Sequence, residues 1–176
     1  MQVAGIDTSL TGTGVADRNG TLFSMGSPPT TMDLRARHAR LSGLSGRILG
    51  AVGDGLDLVL IEQPAYSKAV GHMHDRSGLW WMLVDDLLTS GAPLIEVSPS
   101  ALKKYASGKG NATKADMRMA LFQRAGLDER NDNKVDAWWL RAFGMHLLGA
   151  PLVDLPKKNL EALAGFEVPT LTGAVA

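Results

Sequence analysis

Residues 3–16 read V-A-G-I-D-T-S-L-T-G-T-G-V-A, in which a short apolar run ends at an aspartate and a second apolar run follows a small, polar turn. We predict a first strand at Gln2–Asp7 and a second at Thr11–Asp17. Asn19-Gly20, a dipeptide typical of tight hairpins, then joins the second strand to a third at Thr21–Gly26. The chain is therefore expected to begin with an antiparallel, hairpin-rich sheet.

Downstream of this opening, predicted helices and strands alternate. Apolar residues at three- and four-residue spacing predict helices, and continuous apolar runs predict strands that are covered on both faces. This order predicts an α/β protein with a five-stranded mixed sheet covered by helices on both faces. The predicted segments are a helix at Met32–Val52, a strand at Leu56–Glu62, a helix at Gly78–Thr89, a strand at Pro93–Val97, and helices that begin after Ser98, after Thr113, and after Asn131 or Asp132.

Length and composition are those of one ordinary globular domain. The chain has 176 residues, of which 45% are hydrophobic and 20% charged, and its formal net charge is zero. It contains no cysteine, which excludes disulfides and thiolate metal sites. No apolar stretch approaches the roughly 20 residues that span a bilayer, and no signal peptide is evident, so a cytoplasmic location is expected. We expect the domain to occupy residues 1–150, with an irregular tail at 151–176 that holds one short helical turn near Leu160–Leu163.

Four acidic residues at three places are candidates for one metal site. Asp7 and Glu62 end apolar runs, and Asp132 and Asp136 open an apolar helix and share one of its faces, which Asn133 also reaches. Each acid has a simpler explanation when taken alone: a tight turn, an exposed strand end, or a helix cap. A carboxylate beside a strand core is nevertheless costly without a cation or a donor. Taken together, the acids predict a site for Mg²⁺ or Mn²⁺, which prefer oxygen ligands.

Two divalent ions held about 3.5–4 Å apart can activate a water and stabilise the leaving oxygen of a phosphodiester, so no separate general base is required.

A basic segment accompanies the acids. Residues 98–124 contain six lysines or arginines against one acid, Asp116. A basic face of this kind can bind a phosphodiester even in a chain of zero net charge, although a solvated helix face would look the same. The six are Lys103, Lys104, Lys109, Lys114, Arg118 and Arg124.

These motifs resemble those of a known family. V-S-P-S-A-L-K-K at residues 97–104 and G-K-G-N-A-T-K at residues 108–114 match the pattern S/T-P-x-x-h-K followed by G-x-G-x-A-x-K. With G-I-D, L-I-E-Q and D-A, the chain resembles the RuvC-type Holliday junction resolvases of the ribonuclease H-like superfamily. The resemblance covers about Val3 to Gly144, and the N-terminus resembles the phage form of the pattern most.

The resemblance implies a crossover junction endodeoxyribonuclease, which cuts branched DNA at four-way (Holliday) junctions and acts as a homodimer with two Mg²⁺ or Mn²⁺ ions per site. Asp7, Glu62 and Asp136 match the family's metal ligands. Lys103 and Lys114 match two lysines near the scissile phosphate. A bacterial or phage-infected cell would be the setting. The residues expected to contact DNA are Tyr66, Lys68, Lys104, Lys109 and Lys114.

The chain departs from the family pattern at two positions. The family has D-x-x-D before the alanine, whereas here the earlier position is Asn133, with Asp132 just before it. Either Asp132 replaces that ligand, or Asn133 is a neutral ligand and Asp132 a cap. The family also carries an aromatic wedge shortly after the glutamate, for which Tyr66 is the candidate, while Ala65 stands at the usual place.

Three other functions fit parts of the sequence. A nuclease on the same fold can act more broadly on flaps, forks or replication intermediates. An ATP-binding protein of the actin type shares the strand, aspartate and glycine-rich hairpin, but needs a duplicated fold that 176 residues do not accommodate. A DNA-binding relative without activity would not need to retain the acids.

Overall fold

The structure, a computed structural model, describes residues 1–31, 33–64 and 73–170 of the chain. Its five strands are Val3–Asp7 (β1), Thr13–Ala16 (β2), Leu22–Met25 (β3), Leu58–Glu62 (β4) and Leu94–Val97 (β5). They form a sheet in the order β3-β2-β1-β4-β5. The first three strands pair antiparallel, whereas β4 and β5 run parallel to β1. The predicted five-stranded mixed sheet is confirmed.

The central strands are buried on both faces, as their continuous apolar sequences predict. Successive side chains of a strand point to opposite faces. Val3, Leu58 and Leu60 belong to one hydrophobic cluster, while Val59 and Ile61 belong to a second cluster on the other side. The sheet therefore separates two cores, each of which requires its own cover of helices.

Five main helices provide this cover. They span Leu34–Val52 (α1), Met73–Thr89 (α2), Pro99–Ser107 (α3), Lys114–Ala125 (α4) and Asp132–Leu147 (α5). Residues of α1 and α2 complete one core, and those of α3, α4 and α5 complete the other. The prediction of helices on both faces is confirmed. None of the helices in the described ranges is long and apolar enough to cross a membrane.

Helix α2 begins at Met73, five residues before the predicted start at Gly78. Its first turn contains Asp75, which is buried and forms an ion pair with Arg37 of α1, with Nε of the arginine 3.0 Å from the carboxylate. A charged residue at an inward-facing position breaks the apolar periodicity from which a helix is predicted. The apolar pattern of the sequence therefore does not predict the first turn of α2.

Helix α5 lies directly on β1 and β2 because glycines leave room for its backbone. A Cβ atom on Gly5 would lie 2.3 Å from the carbonyl oxygen of Ala137, and one on Gly14 would lie 1.9 Å from that of Asn133. Both distances are far below van der Waals contact, so only glycine fits at either position. This close approach brings the start of α5 to the end of β1.

The segment after residue 150 packs on the domain. It contains a short helix at Lys157–Leu160 (α6) and a 3₁₀ turn at Glu161–Leu163, where a helical turn was predicted. Asn159 is buried, and its Nδ2 donates to the carbonyl oxygen of Tyr105 at 2.7 Å. The ring of Phe166 lies edge-on to Phe143, with centroids 5.0 Å apart. Up to residue 170, this segment completes the core beside α3.

Candidate active site

Two neighbouring parallel strands bring two distant acids together. Asp7 is the last residue of β1, and Glu62 is the last residue of β4. The strands pair in parallel, with Ile6 opposite Ile61. Asp7 and Glu62 therefore lie side by side at the carboxyl edge of the sheet.

A cleft of about 380 Å³ opens beside this pair. The third acid, Asp136, faces it from α5, which the glycines of β1 and β2 hold close to the sheet. Two lysines, one each from α3 and α4, also line the cleft. The five predicted site residues that the structure brings to this cleft are Asp7, Glu62, Lys103, Lys114 and Asp136.

Burial is the main cause that raises the pKa of all three carboxyl groups. For Glu62, the charges of Asp7 and Asp136 raise the pKa further. For Asp136, burial and then the charges of Asp7 and Asp132 raise the pKa to about 7. Partly buried acids that repel one another hold protons near neutral pH unless positive charge is added. The negative charge of the three carboxylates is therefore unfavourable in this cleft unless a proton or a cation offsets it.

The described residues do not contain a preformed metal cage. Among them, no three histidine, cysteine, aspartate or glutamate side chains form a group that could hold a metal ion as they stand. The donor chemistry of Asp7, Glu62 and Asp136 is nonetheless that of a hard divalent cation, because all three offer carboxylate oxygens. Their raised pKa values show that charge neutralisation would be favourable at this place.

Local capping places the two lysines. Ser98 caps α3, and its Oγ accepts a hydrogen bond from the backbone of Ala101 at 3.2 Å. Thr113 and Asp116 form a reciprocal capping box at the start of α4. The box makes Lys114 the first residue of α4, where its side chain reaches the cleft. The serine and threonine signals in the sequence predict both helix starts correctly.

Asp132 and Asn133 occupy different surroundings. Asn131, rather than Asp132, caps α5 by accepting a hydrogen bond from the backbone of Lys134 at 3.2 Å. Asp132 forms ion pairs with Lys114, at 3.0 Å between Nζ and Oδ2, and with Arg118, at 3.3 Å between Nε and Oδ1. Asn133 lines the cleft. Asp132 is therefore the counterion of two basic side chains, those of Lys114 and Arg118.

Among the other residues that the sequence predicts to contact DNA, Lys104 and Lys109 do not line this cleft. Lys104 forms an ion pair with Glu161 at 2.9 Å, so part of its charge is used within the protein. Lys109 lies in the loop before α4, where its backbone N–H donates to Ser107 Oγ at 3.2 Å. Tyr66 and Lys68 lie outside the described residues.

Sequence reasoning missed Arg76 as a residue of the cleft. It lies in the first turns of α2 and lines the cleft with the acids and lysines. The residues before Gly78 carry no apolar periodicity, so neither the helix nor the direction of this side chain was evident. Arg76 adds a third basic side chain to the lining.

Comparison with known proteins agrees with this architecture. No family model and no curated protein sequence matches the chain. Among solved structures, the Thermus thermophilus RuvC structure is similar with a TM-score of 0.61 and 19% identity, over 88% of this chain and 100% of that one. T. thermophilus RuvC in complex with a Holliday junction substrate gives a TM-score of 0.59 at 17% identity, over 88% and 99%.

The fold is that of RuvC. The likeness extends over nearly the whole length of both RuvC chains. At 17–19% identity, this likeness shows the fold. Any inference about the chemistry therefore has to be based on the side chains of the cleft.

Proposed function

We propose that the chain is a metal-dependent endonuclease that hydrolyses phosphodiester bonds of branched DNA, chiefly at four-way junctions. The observation that carries the proposal is the meeting of three buried or half-buried acids and two lysines in one cleft. Acids alone would repel a phosphodiester, and lysines alone would bind it without promoting hydrolysis. The combination suits a site in which cations join the acids to the phosphate.

Asp7, Glu62 and Asp136 are the residues that would hold the cations, two Mg²⁺ or Mn²⁺ ions per site. Support comes from their oxygen-only donor set and from the burial and mutual repulsion that raise the pKa of Glu62 and Asp136. When bound, such ions supply an activated water and offset the charge on the leaving oxygen.

Lys103 and Lys114 would bind the phosphate as point charges. Lys114 is suited to this role because its side chain is 71% exposed and reaches the cleft from the start of α4. Its ion pair with Asp132 holds the ammonium group at the rim before DNA arrives. Arg76 lines the same cleft and can contact a neighbouring phosphate.

Branched DNA is the favoured substrate class because a RuvC of this fold is known in complex with a Holliday junction substrate.

A homodimer would match the symmetry of a four-way junction, with one cleft for each of two strands. Helix α2 supports this arrangement because Trp81 and Leu88, seven residues apart, are 62% and 57% exposed. Two large apolar side chains on one helix face are suited to contact a second copy.

A broader nuclease acting on flaps and forks is the alternative. It is favoured by the pattern after Glu62, where Ala65 stands at the position of the family's aromatic wedge. The actin-type alternative has no comparable support, because the described residues form a single five-stranded sheet. A nuclease of either selectivity would act on DNA in the cytoplasm of a bacterial or phage-infected cell.

A substrate panel tests the proposal. Four-way junctions, flaps, forks and linear duplexes of matched sequence are incubated with the protein in Mg²⁺ and, separately, in EDTA. We expect cleavage in Mg²⁺ only, fastest on the four-way junction, with paired symmetrical cuts. Equal cleavage rates on the junction and the flap would favour the broader branched-DNA nuclease over a junction resolvase. Undiminished cleavage in EDTA would contradict metal dependence.

A further inference from the structure

The outer face of α4 exposes two large apolar side chains close to the active-site cleft. Met119 is 54% exposed and Phe122 is 56% exposed. Together with Ala115, Arg118 and Asp128 they line a shallow groove of about 330 Å³. Neither Met119 nor Phe122 belongs to the two hydrophobic clusters that form the cores.

A row of charged side chains lies between this groove and the cleft. Lys114 lines the cleft at the start of α4, and Arg118 lines the groove one turn later. Asp132 bridges the two cations, at 3.0 Å from Lys114 and 3.3 Å from Arg118. Phe122 follows one further turn along the same helix. At a rise of 1.5 Å per residue it lies about 12 Å from Lys114, which is the length of about three to four stacked nucleotides.

The chemistry of the row fits a nucleic-acid strand. Lys114 and Arg118 share Asp132 as a counterion, so the three side chains together keep one positive charge for a phosphate, and the exposed ring of Phe122 follows at the end of the row. Cations interleaved with an aromatic ring are the arrangement by which proteins hold single-stranded nucleic acid, because every base has a face that can stack. Asp128, the acid of the groove, is paired with Arg130 at 3.7 Å.

We propose that Phe122, supported by Met119, is a stacking site for an unpaired or distorted base of the DNA strand that enters the cleft. The base would lie about three to four nucleotides from the scissile phosphate. This inference rests on the proposed nuclease function and adds a contact outside the catalytic cleft. It also gives the protein a means of favouring DNA whose bases are unstacked near the cut.

Binding measurements in EDTA test the site without cleavage. Fluorescence anisotropy is recorded with two labelled junctions of one sequence, fully paired or with three unpaired bases beside the cut. Phe122→Ala should weaken binding of the unpaired junction about five- to 150-fold, the loss expected when one base–aromatic stack is removed. Binding of the fully paired junction should change little.

Two further substitutions of Phe122 separate stacking from general apolar contact. Phe122→Leu keeps an apolar side chain without a ring and should behave like Phe122→Ala. Phe122→Trp should retain affinity, and its fluorescence should be quenched by the unpaired junction. Leu34→Ala, at a 74% exposed apolar residue of α1, is the matched control and should bind as the wild type does.

The outcomes distinguish the two proposals. Wild-type protein that cuts junctions while Phe122→Ala and Phe122→Leu bind unpaired DNA as tightly as it does would overturn the stacking site and leave the nuclease function standing. A change of oligomeric mass in Phe122→Ala without a change in DNA affinity would also overturn it. Wild-type protein that neither binds nor cuts branched DNA would overturn both.

Discussion

At the scale of single residues, the raised pKa of Asp136 makes the stability of the protein depend on pH. Burial and the charges of Asp7 and Asp132 raise its pKa from 3.8 to about 7. Between these pH values the folded state holds a proton that the unfolded state has released, so the free energy of unfolding falls as the pH rises. We expect urea unfolding in EDTA to give lower stability at pH 8 than at pH 5.

Asp136→Asn is the control for this pH effect, since it removes the charge and keeps the shape. The variant should lose part of the decline between pH 5 and pH 8. At pH 8 without metal, its Tm should exceed that of the wild type by ~2–4 °C for each kcal/mol of relieved repulsion. If Asp136→Asn has the same pH dependence as the wild type, the carboxyl group is not destabilised by burial as described.

Asp132 and Asn133 yield a second prediction at this scale. Because Asp132 pairs with Lys114 and Arg118 while Asn133 lines the cleft, we expect Asn133 to be the fourth group near the cations. Asp132→Asn should keep cleavage within about tenfold of wild type, and should cost ~0.2–1 kcal/mol of stability, as exposed ion pairs do.

Asn133→Ala is the comparison for Asp132→Asn, and both are measured by single-turnover junction cleavage. Its cleavage rate should fall about 10- to 100-fold, the loss typical when a group that orients a metal site is removed. A larger loss in Asp132→Asn than in Asn133→Ala would show instead that Asp132 takes the place of the missing acid.

Much of the cleft could be predicted from residue types and their places in the sequence. Asp7 and Glu62 follow apolar runs, which predicts that each lies near a strand end. That β1 and β4 are parallel neighbours, which brings the two acids to one edge, is known from the structure. The part played by Asp132 could not be predicted, because it depends on where Lys114 and Arg118 lie in space. Arg76 was missed because the helix that carries it begins without apolar periodicity.

At the scale of elements, the contact between α5 and the hairpin decides where the third acid lies. A Cβ atom on Gly14 would stand 1.9 Å from the carbonyl oxygen of Asn133, a backbone atom that cannot rotate away. We expect Gly14→Ala to reduce the free energy of unfolding by ~1–3 kcal/mol or more, as overpacking of a core does. It should also reduce cleavage, because α5 must shift away from Asp7.

Gly46→Ala on α1 is the matched control, measured in the same urea titrations. A Cβ atom there meets nothing within 4 Å, so alanine should stabilise the helix by ~0.5–1 kcal/mol. Equal stability of Gly14→Ala and Gly46→Ala would contradict the close contact.

The glycines that follow Asp7 can be explained either by the turn they form or by the helix that packs on them. In the sequence, the small residues after Asp7 indicate a tight turn. In the structure, Gly12 and Gly14 leave room for Asn133 of α5. Periodicity predicts the elements well, whereas the partner that requires a glycine is known only once the elements are assembled.

At the scale of the whole molecule, the segment after residue 150 contributes to the core. Asn159 Nδ2 donates to the carbonyl oxygen of Tyr105 at 2.7 Å in a buried position. Asn159→Ala would leave that carbonyl without its donor, at a cost of ~1–3 kcal/mol. Urea unfolding measures the loss, with Lys157→Ala at an exposed position of the same short helix as the control. Equal stability of the two variants would make the segment an independent tail.

The overall architecture was predictable because the apolar pattern of each strand agrees with its place in the sheet. Continuous runs became the central strands β1 and β4, and the hairpin signal at Asn19-Gly20 joined β2 to β3. The docking of residues 151–170 on the core was not predictable. It depends on single contacts such as those of Asn159 and Phe166, which have no periodic signature.

The central claim is that the three acids and two lysines form a metal-dependent phosphodiesterase site, and Asp7→Asn tests it most directly. Cleavage and binding of one labelled four-way junction are measured side by side, with Mg²⁺ for cleavage and EDTA for binding. We predict that Asp7→Asn loses more than about 100-fold in cleavage, beyond the loss typical of groups that only orient a metal site. Its junction affinity should be unchanged or higher, since a buried negative charge is removed. Cleavage that persists undiminished in Asp7→Asn would contradict the claim.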